Sequence, residues 1–147
     1  MGSLVEAVKD TAKRPLIIAD CTEMINQEVK SKSGLTGIAV KGGFKAIRGF
    51  SPDIIPKALD DLIDEFAVQV EPFWQDCQNN GEDARGYFVR RKGEIANALL
   101  SITDGKAKKS KHKVLVKAYN TLRGKAIDHI GAAMPRFSDI VKKHASS

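Results

Sequence analysis

The chain has 147 residues, 42% hydrophobic and 29% charged, which suits one globular domain that can bury a core without a metal or disulfide. No apolar run approaches the roughly 20 residues of a membrane-spanning helix, and the N-terminus has no signal-peptide core, so a cytoplasmic protein is expected. The net charge of +6 is uneven: residues 105–147 carry eleven Lys or Arg against Asp128 and Asp139, whereas residues 1–104 carry thirteen against sixteen acids. Such asymmetry bears on partners rather than on fold.

Ser3 and Glu6 have capping-box spacing, and Leu4, Val5, Val8 and Ala12 form a short stripe before Pro15. The opening "MGSLVE" fails the N-myristoylation pattern, because Glu6 stands where Ser or Thr is needed. Pro15 fits a first helical turn, and Ile17, Ile18, Cys21, Met24, Ile25 and Val29 recur at helical spacing. Ser51-Pro52-Asp53 signals another helix start. Ile55, Leu59, Leu62, Phe66 and Val70 follow, with Asp60, Asp61, Asp64 and Glu65 opposite as a solvated face, until Pro72 is expected to kink or end the helix.

Asn79-Asn80-Gly81 breaks the chain. A short helix is expected from Asp83 to Arg91, with Tyr87 and Phe88 inward. The next runs from Glu94 to Asp104, followed by a flexible basic linker over 105–112. Val114, Leu115, Ala118, Tyr119 and Leu122 mark a helix weakened at Gly124, and Pro135 is expected to open the last one. No segment alternates with period two for long, so the reading is an all-α single domain, residues 1–147, of seven or eight helices.

"GLTGIAVKGGFKAIRGFSP" (34–52) suggests a phosphate loop and fails the test. Gly37 and Gly42 have Walker spacing, but Gly43 and Phe44 stand where Lys and Ser or Thr are required, and no buried strand precedes them. The stretch reads instead as an amphipathic helix from Thr36, its N-cap, to Arg48. Val40, Phe44 and Ile47 share one face, Lys41, Lys45 and Arg48 another, and Gly42, Ala46 and Gly49 form a strip for close helix approach.

His112, His129 and His144 lack metal-ligand spacing, and no cofactor is expected. Cys21 and Cys77 read as buried thiols, although a Cys–His pair with His129 has the right chemistry for a nucleophile. The strongest candidate is the basic segment "GKAKKSKHKVLVKAYNTLRGK" (105–125). Lys106, Lys108, Lys109, Lys111 and Lys113 are crowded into eight positions, and Lys117 and Arg123 extend the charge with no acid from Gly105 to Ile127. Such clusters favour phosphate backbones through counterion release. Arg85, Arg90, Arg91 and Lys92 beside Tyr87 and Phe88 make a second, smaller cluster.

"KSGLTG" (32–37), "FSP" (50–52), "EPFW" (71–74), "ALLSITD" (98–104), "VKAYNTLR" (116–123) and "MPRFSDIVKKHA" (134–145) together resemble a family of small uncharacterised helical bacterial proteins. The resemblance covers nearly the whole chain. It implies an all-helical cytoplasmic domain and carries no catalytic residue, cofactor or partner.

The leading functional expectation is a non-enzymatic module that docks nucleic acid or another polyanion, without sequence readout, through Lys106 to Lys113, Lys117 and Arg123. A second is a peripheral protein of anionic membranes, whose 36–48 helix swings out to insert Val40, Phe44 and Ile47 while Lys41, Lys45 and Arg48 hold headgroups. A third is a homodimer or scaffold using an exposed edge at Phe73 and Trp74. An enzyme would need a deep pocket of Cys, His and acids that the sequence does not reveal.

Overall fold

Apolar stripes of period 3.6 do become helices throughout. The computed structural model describes residues 2–146, and among them it has eight α-helices and no strand, the all-α class expected. They are α1 (Leu4–Lys9), α2 (Lys13–Ser31), α3 (Gly34–Phe50), α4 (Ile54–Asn80), α5 (Ala84–Arg90), α6 (Lys92–Lys109), α7 (Lys113–Arg123) and α8 (Ala126–Ala145).

The shortest helix is held by the longest. α1 has six residues, too few to persist alone in water. Ser3 is its N-cap, the hydroxyl accepting from the Glu6 N–H at 3.2 Å. That hydroxyl also donates to Glu71 of α4, whose other oxygen accepts from the Leu4 N–H at 2.9 Å. Trp74, Gln75 and Gln78 of α4 then all donate to the Gly2 carbonyl. Trp74 is therefore buried, at 4% exposure, and Phe73 is half-buried beneath the Arg91 guanidinium. The exposed dimer edge expected at these two aromatics is not present.

Several boundaries differ from the sequence expectation. α4 continues through Pro72. The hydrogen bond lost there belongs to the carbonyl of Val68, one turn earlier on the same exposed face, which is open to solvent. α8 likewise runs through Pro135 instead of beginning at it. α4 starts after Asp53, with Ser51 closing α3. Finally, the linker expected over 105–112 is helical through Lys109, which leaves residues 110–112 as the connection. Lys and Ala are good helix formers, and three lysines in a last turn suit the negative end of the helix dipole.

α1, α2, α4, α5, α6 and α8 form a body around one core, in which Val8, Val70, Tyr87, Phe88, Ile95 and Met134 are almost fully buried. Tyr87 reaches Asp76 at 2.7 Å with its hydroxyl, and the Phe88 ring meets Phe137. α3 and α7 contribute nothing to that core. They pack chiefly on each other and lie as a second layer, α3 over α2 and α4, α7 over α6 and α8.

The C-terminal turn of α8 is fixed to α2 by charge. His144 Nε2 lies 2.6 Å from Asp20, and Lys143 Nζ lies 3.0 Å from the same carboxylate. The His144 bond, more than Lys143, holds the Asp20 carboxyl below its ordinary range. A carboxylate stabilised in this way strengthens the fold above its unfolded-state pKa, and that contribution is lost as pH falls through the lower folded value. Asp20→Asn should cost about 1–2 kcal/mol near pH 7. In urea titrations at several pH values, the gap to wild type should begin to narrow below about pH 4, where the unfolded-state carboxyl protonates, and be lost as pH falls through the lower native value. A gap constant down to pH 3 (roughly one unit below the reference carboxyl) would show that Asp20 acts through packing alone.

Candidate functional site

Between the body and the α3/α7 layer lies an apolar cavity of about 390 Å³. Helical spacing builds each wall. α2 turns Ile17, Cys21, Met24 and Ile25 into it, α4 supplies Ile63, Phe66, Ala67 and Val70, and α8 supplies Ile130, Ala133, Met134 and Phe137. Leu99 and Leu100 of α6 close one side. The roof is Val40, Phe44 and Ile47 of α3 with Leu122 of α7. An apolar void of roughly 150 Å³ already stays dry and admits benzene, and ligand sites span roughly 300–1,000 Å³.

α3 is docked here with its apolar face turned toward the body. Val40, Phe44 and Ile47 face inward, while the outward side carries Leu35 and Ile38, at 87% and 70% exposure, with Lys41 and Lys45. Arg48 turns toward α2 and donates to Asn26 Oδ1 at 2.5 Å. The helix begins at Gly34, with Ser33 rather than Thr36 as N-cap, because Gly34 takes φ +68° and turns the chain back from α2.

Six polar residues also line the cavity: Glu28, Lys32, Thr103, Tyr119, Arg123 and His129. Two situations result. Thr103, Tyr119 and Arg123 satisfy one another and Asp104: the Tyr119 hydroxyl lies 2.8 Å from Thr103 and donates to Asp104, and Arg123 reaches the same carboxylate at 2.9 and 3.2 Å. His129 is different. Its Nε2 is buried without a hydrogen-bond partner, the one such side-chain atom among the described residues. Burial lowers its pKa, and the nearby positive charge of Lys32 lowers it further. Lys32 Nζ lies 3.7 Å from Glu28, which also pairs with Arg136.

Cys21 lines the same cavity, and burial pushes its thiol up to about 12. A thiol so protonated is a poor nucleophile, and the unpartnered Nε2 shows that His129 does not activate it through that atom. Cys77 lies elsewhere and donates to the Glu82 carbonyl at 3.4 Å. Among the described residues no group of three His, Cys, Asp or Glu is placed to hold a metal, and no helix is long and apolar enough to cross a membrane.

The basic segment is split between two helices. Lys106, Lys108 and Lys109 sit on the last turns of α6, Lys111 on the connection, and Lys113, Lys117 and Arg123 on α7. Lys108, Lys113 and Lys117 flank an open cleft with Asn120. Lys106 pairs with Glu65 at 3.5 Å, but both groups are half exposed, so the pair is weak and does not withhold the lysine. Arg123, tied to Asp104, belongs to the cavity wall rather than to the cleft. In the second cluster Arg85 pairs with Asp139, Arg90 with Glu82 and Arg91 with Glu94, the first two through arginines as exposed as Lys106 and therefore no more firmly held.

A family profile described as a family of unknown function (DUF6918) matches residues 4–145. The chain belongs to that family. No curated protein and no solved structure matches it. The match begins with α1 and ends with α8, so the cavity and the basic cleft both lie within the stretch that defines the DUF6918 family.

Two glycines of α3 matter for packing, Gly37 against the Lys32 backbone and Gly43 against α7, not the expected strip of Gly42, Ala46 and Gly49. A Cβ on Gly43 would meet the Leu122 side chain at 2.9 Å, whereas Gly42 and Gly49 face open space. Gly42→Ala should therefore raise stability by about 0.5–1 kcal/mol through helix propensity, and Gly43→Ala should lower it by about 1–3 kcal/mol through overpacking. Thermal melts of the two variants check this. Equal shifts would mean that α3 and α7 are not in close contact in solution.

Proposed function

We propose that the protein is a binding protein for an elongated apolar molecule of the acyl-chain class, held between the helical body and the α3/α7 layer. The observation that carries this reading is the roughly 390 Å³ cavity with a hydrocarbon wall drawn from seven helices. Each methylene transferred from water into such a wall gains about 0.8 kcal/mol. After association costs of about 4 kcal/mol or more, a chain of about 16–18 carbons is needed to reach micromolar affinity. Titration with the fluorescent fatty acid cis-parinaric acid should give saturable binding at one site. Ala133→Phe and, as a second variant, Ala67→Leu should abolish or strongly weaken it while the melting temperature holds or rises, because filling a void stabilises a fold. Wild-type protein that leaves the probe's fluorescence unchanged would overturn the reading.

A second reading concerns the basic cleft: a polyanion, such as nucleic acid, docks without sequence readout on Lys108, Lys109, Lys111, Lys113 and Lys117, with Lys106 beside them. What favours it is that these five lysines are exposed and make no ion pair within 4 Å among the described residues. Binding to labelled duplex, single-stranded DNA or RNA should fall steeply with salt and disappear when Lys106, Lys108, Lys109, Lys111 and Lys113 are changed to Gln. Absence of binding even at low salt would end it.

A further inference from the structure

We infer that the cavity is built for a carboxylate-headed chain, a long-chain fatty acid, with its head received by His129 Nε2 and the Lys32 ammonium. This rests on the reading of the cavity as a ligand site and assigns its polar end.

Of the polar groups on the wall, only His129 has an unmet bond. Thr103, Tyr119 and Arg123 form a closed network with Asp104, so a ligand head arriving there would have to break existing bonds. His129 Nε2 has no bond to break, and a buried polar atom left unpaired is costly until a partner reaches it. Its donor or acceptor role depends on the tautomer, and a carboxyl group serves both, accepting as carboxylate or donating as acid. Lys32 supplies the charge. Its side chain is only 15% exposed, lines the cavity, and lies 3.7 Å from Glu28. Arg136 shares that same carboxylate. Arg136 does so from outside the lining, and Lys125 and Asp128 also act on His129, so three cations stand against two acids around this end of the wall and the local balance is positive before any ligand arrives. A neutral apolar guest would leave both the orphan nitrogen and the excess charge unanswered. A carboxylate answers both.

The test compares cis-parinaric acid with its methyl ester, which has the same chain and no charge. Wild type should bind the acid at least about tenfold more tightly than the ester. His129→Leu and Lys32→Met should each weaken acid binding by about tenfold and leave the ester within about twofold, with His129→Gln restoring part of the loss through its side-chain amide. Retained ester binding shows that each variant still forms the cavity. His129→Leu should also melt higher than wild type without ligand, because it removes the unpaired nitrogen. If acid and ester bind wild type equally and the variants move neither, the head assignment is wrong and the cavity reading stands. If neither compound binds, both fall.

Discussion

The constraint on which this structure turns is that α3 and α7 have apolar faces and no place in the core. Val40, Phe44, Ile47 and Leu122 point toward the body but stop at a cavity, and the two helices pack chiefly on each other, with Gly43 against Leu122. The body is packed by the other six helices. Its core is closed by α1, α2, α4, α5, α6 and α8, and its ends are secured separately, by the α4 side chains around Gly2 and by Asp20 against α8. The molecule is therefore a packed body under a thinner layer.

An apolar wall left without packing partners forfeits the dispersion contacts that a close-packed core would make. Water recovers little of that where the wall offers few polar partners. A hydrocarbon guest recovers most of it, and a guest bound only by the folded state stabilises that state by mass action. Guest binding and folding of the α3/α7 layer are thus favoured by the same apolar contacts. Few apolar side chains of the layer are buried, Val40 and Ala118 among them, and its other ties to the body are polar: Arg48 to Asn26, and Tyr119 and Arg123 to Asp104. Segments with few buried apolar contacts open at lower free energy than a core does.

Much of the fold was legible in the sequence because one signal dominates it. The stripes Ile17-Cys21-Met24 and Leu59-Phe66-Val70 fix helices whatever surrounds them, and the caps Ser3 and Asp83 name their own helix starts. The errors share a cause: the deciding partner lies outside the local window. Pro72 breaks a helix only where the freed carbonyl has no water, and that depends on which face is buried. Gly42 and Gly43 look alike until Leu122 is placed against one of them. The linker expected over 105–112 was read from charge alone, and charge does not forbid a helix.

The cavity was harder to read for a deeper reason. An apolar residue facing a void and one facing a packed core give the same periodic pattern, so Met24, Phe44 and Ile130 read as core when they are wall. Composition cannot separate the two, because the difference is a volume and not a chemical type. His129 held the one available hint. It lies on a helix face with Ile130 and Ala133 nearby, a setting in which a histidine either finds a hydrogen-bond partner within the fold or keeps one for something else. The closed network around Asp104 shows that this fold satisfies its buried polar groups where satisfaction serves the fold. The exception beside Lys32 marks the wall position whose partner has to come from outside the chain.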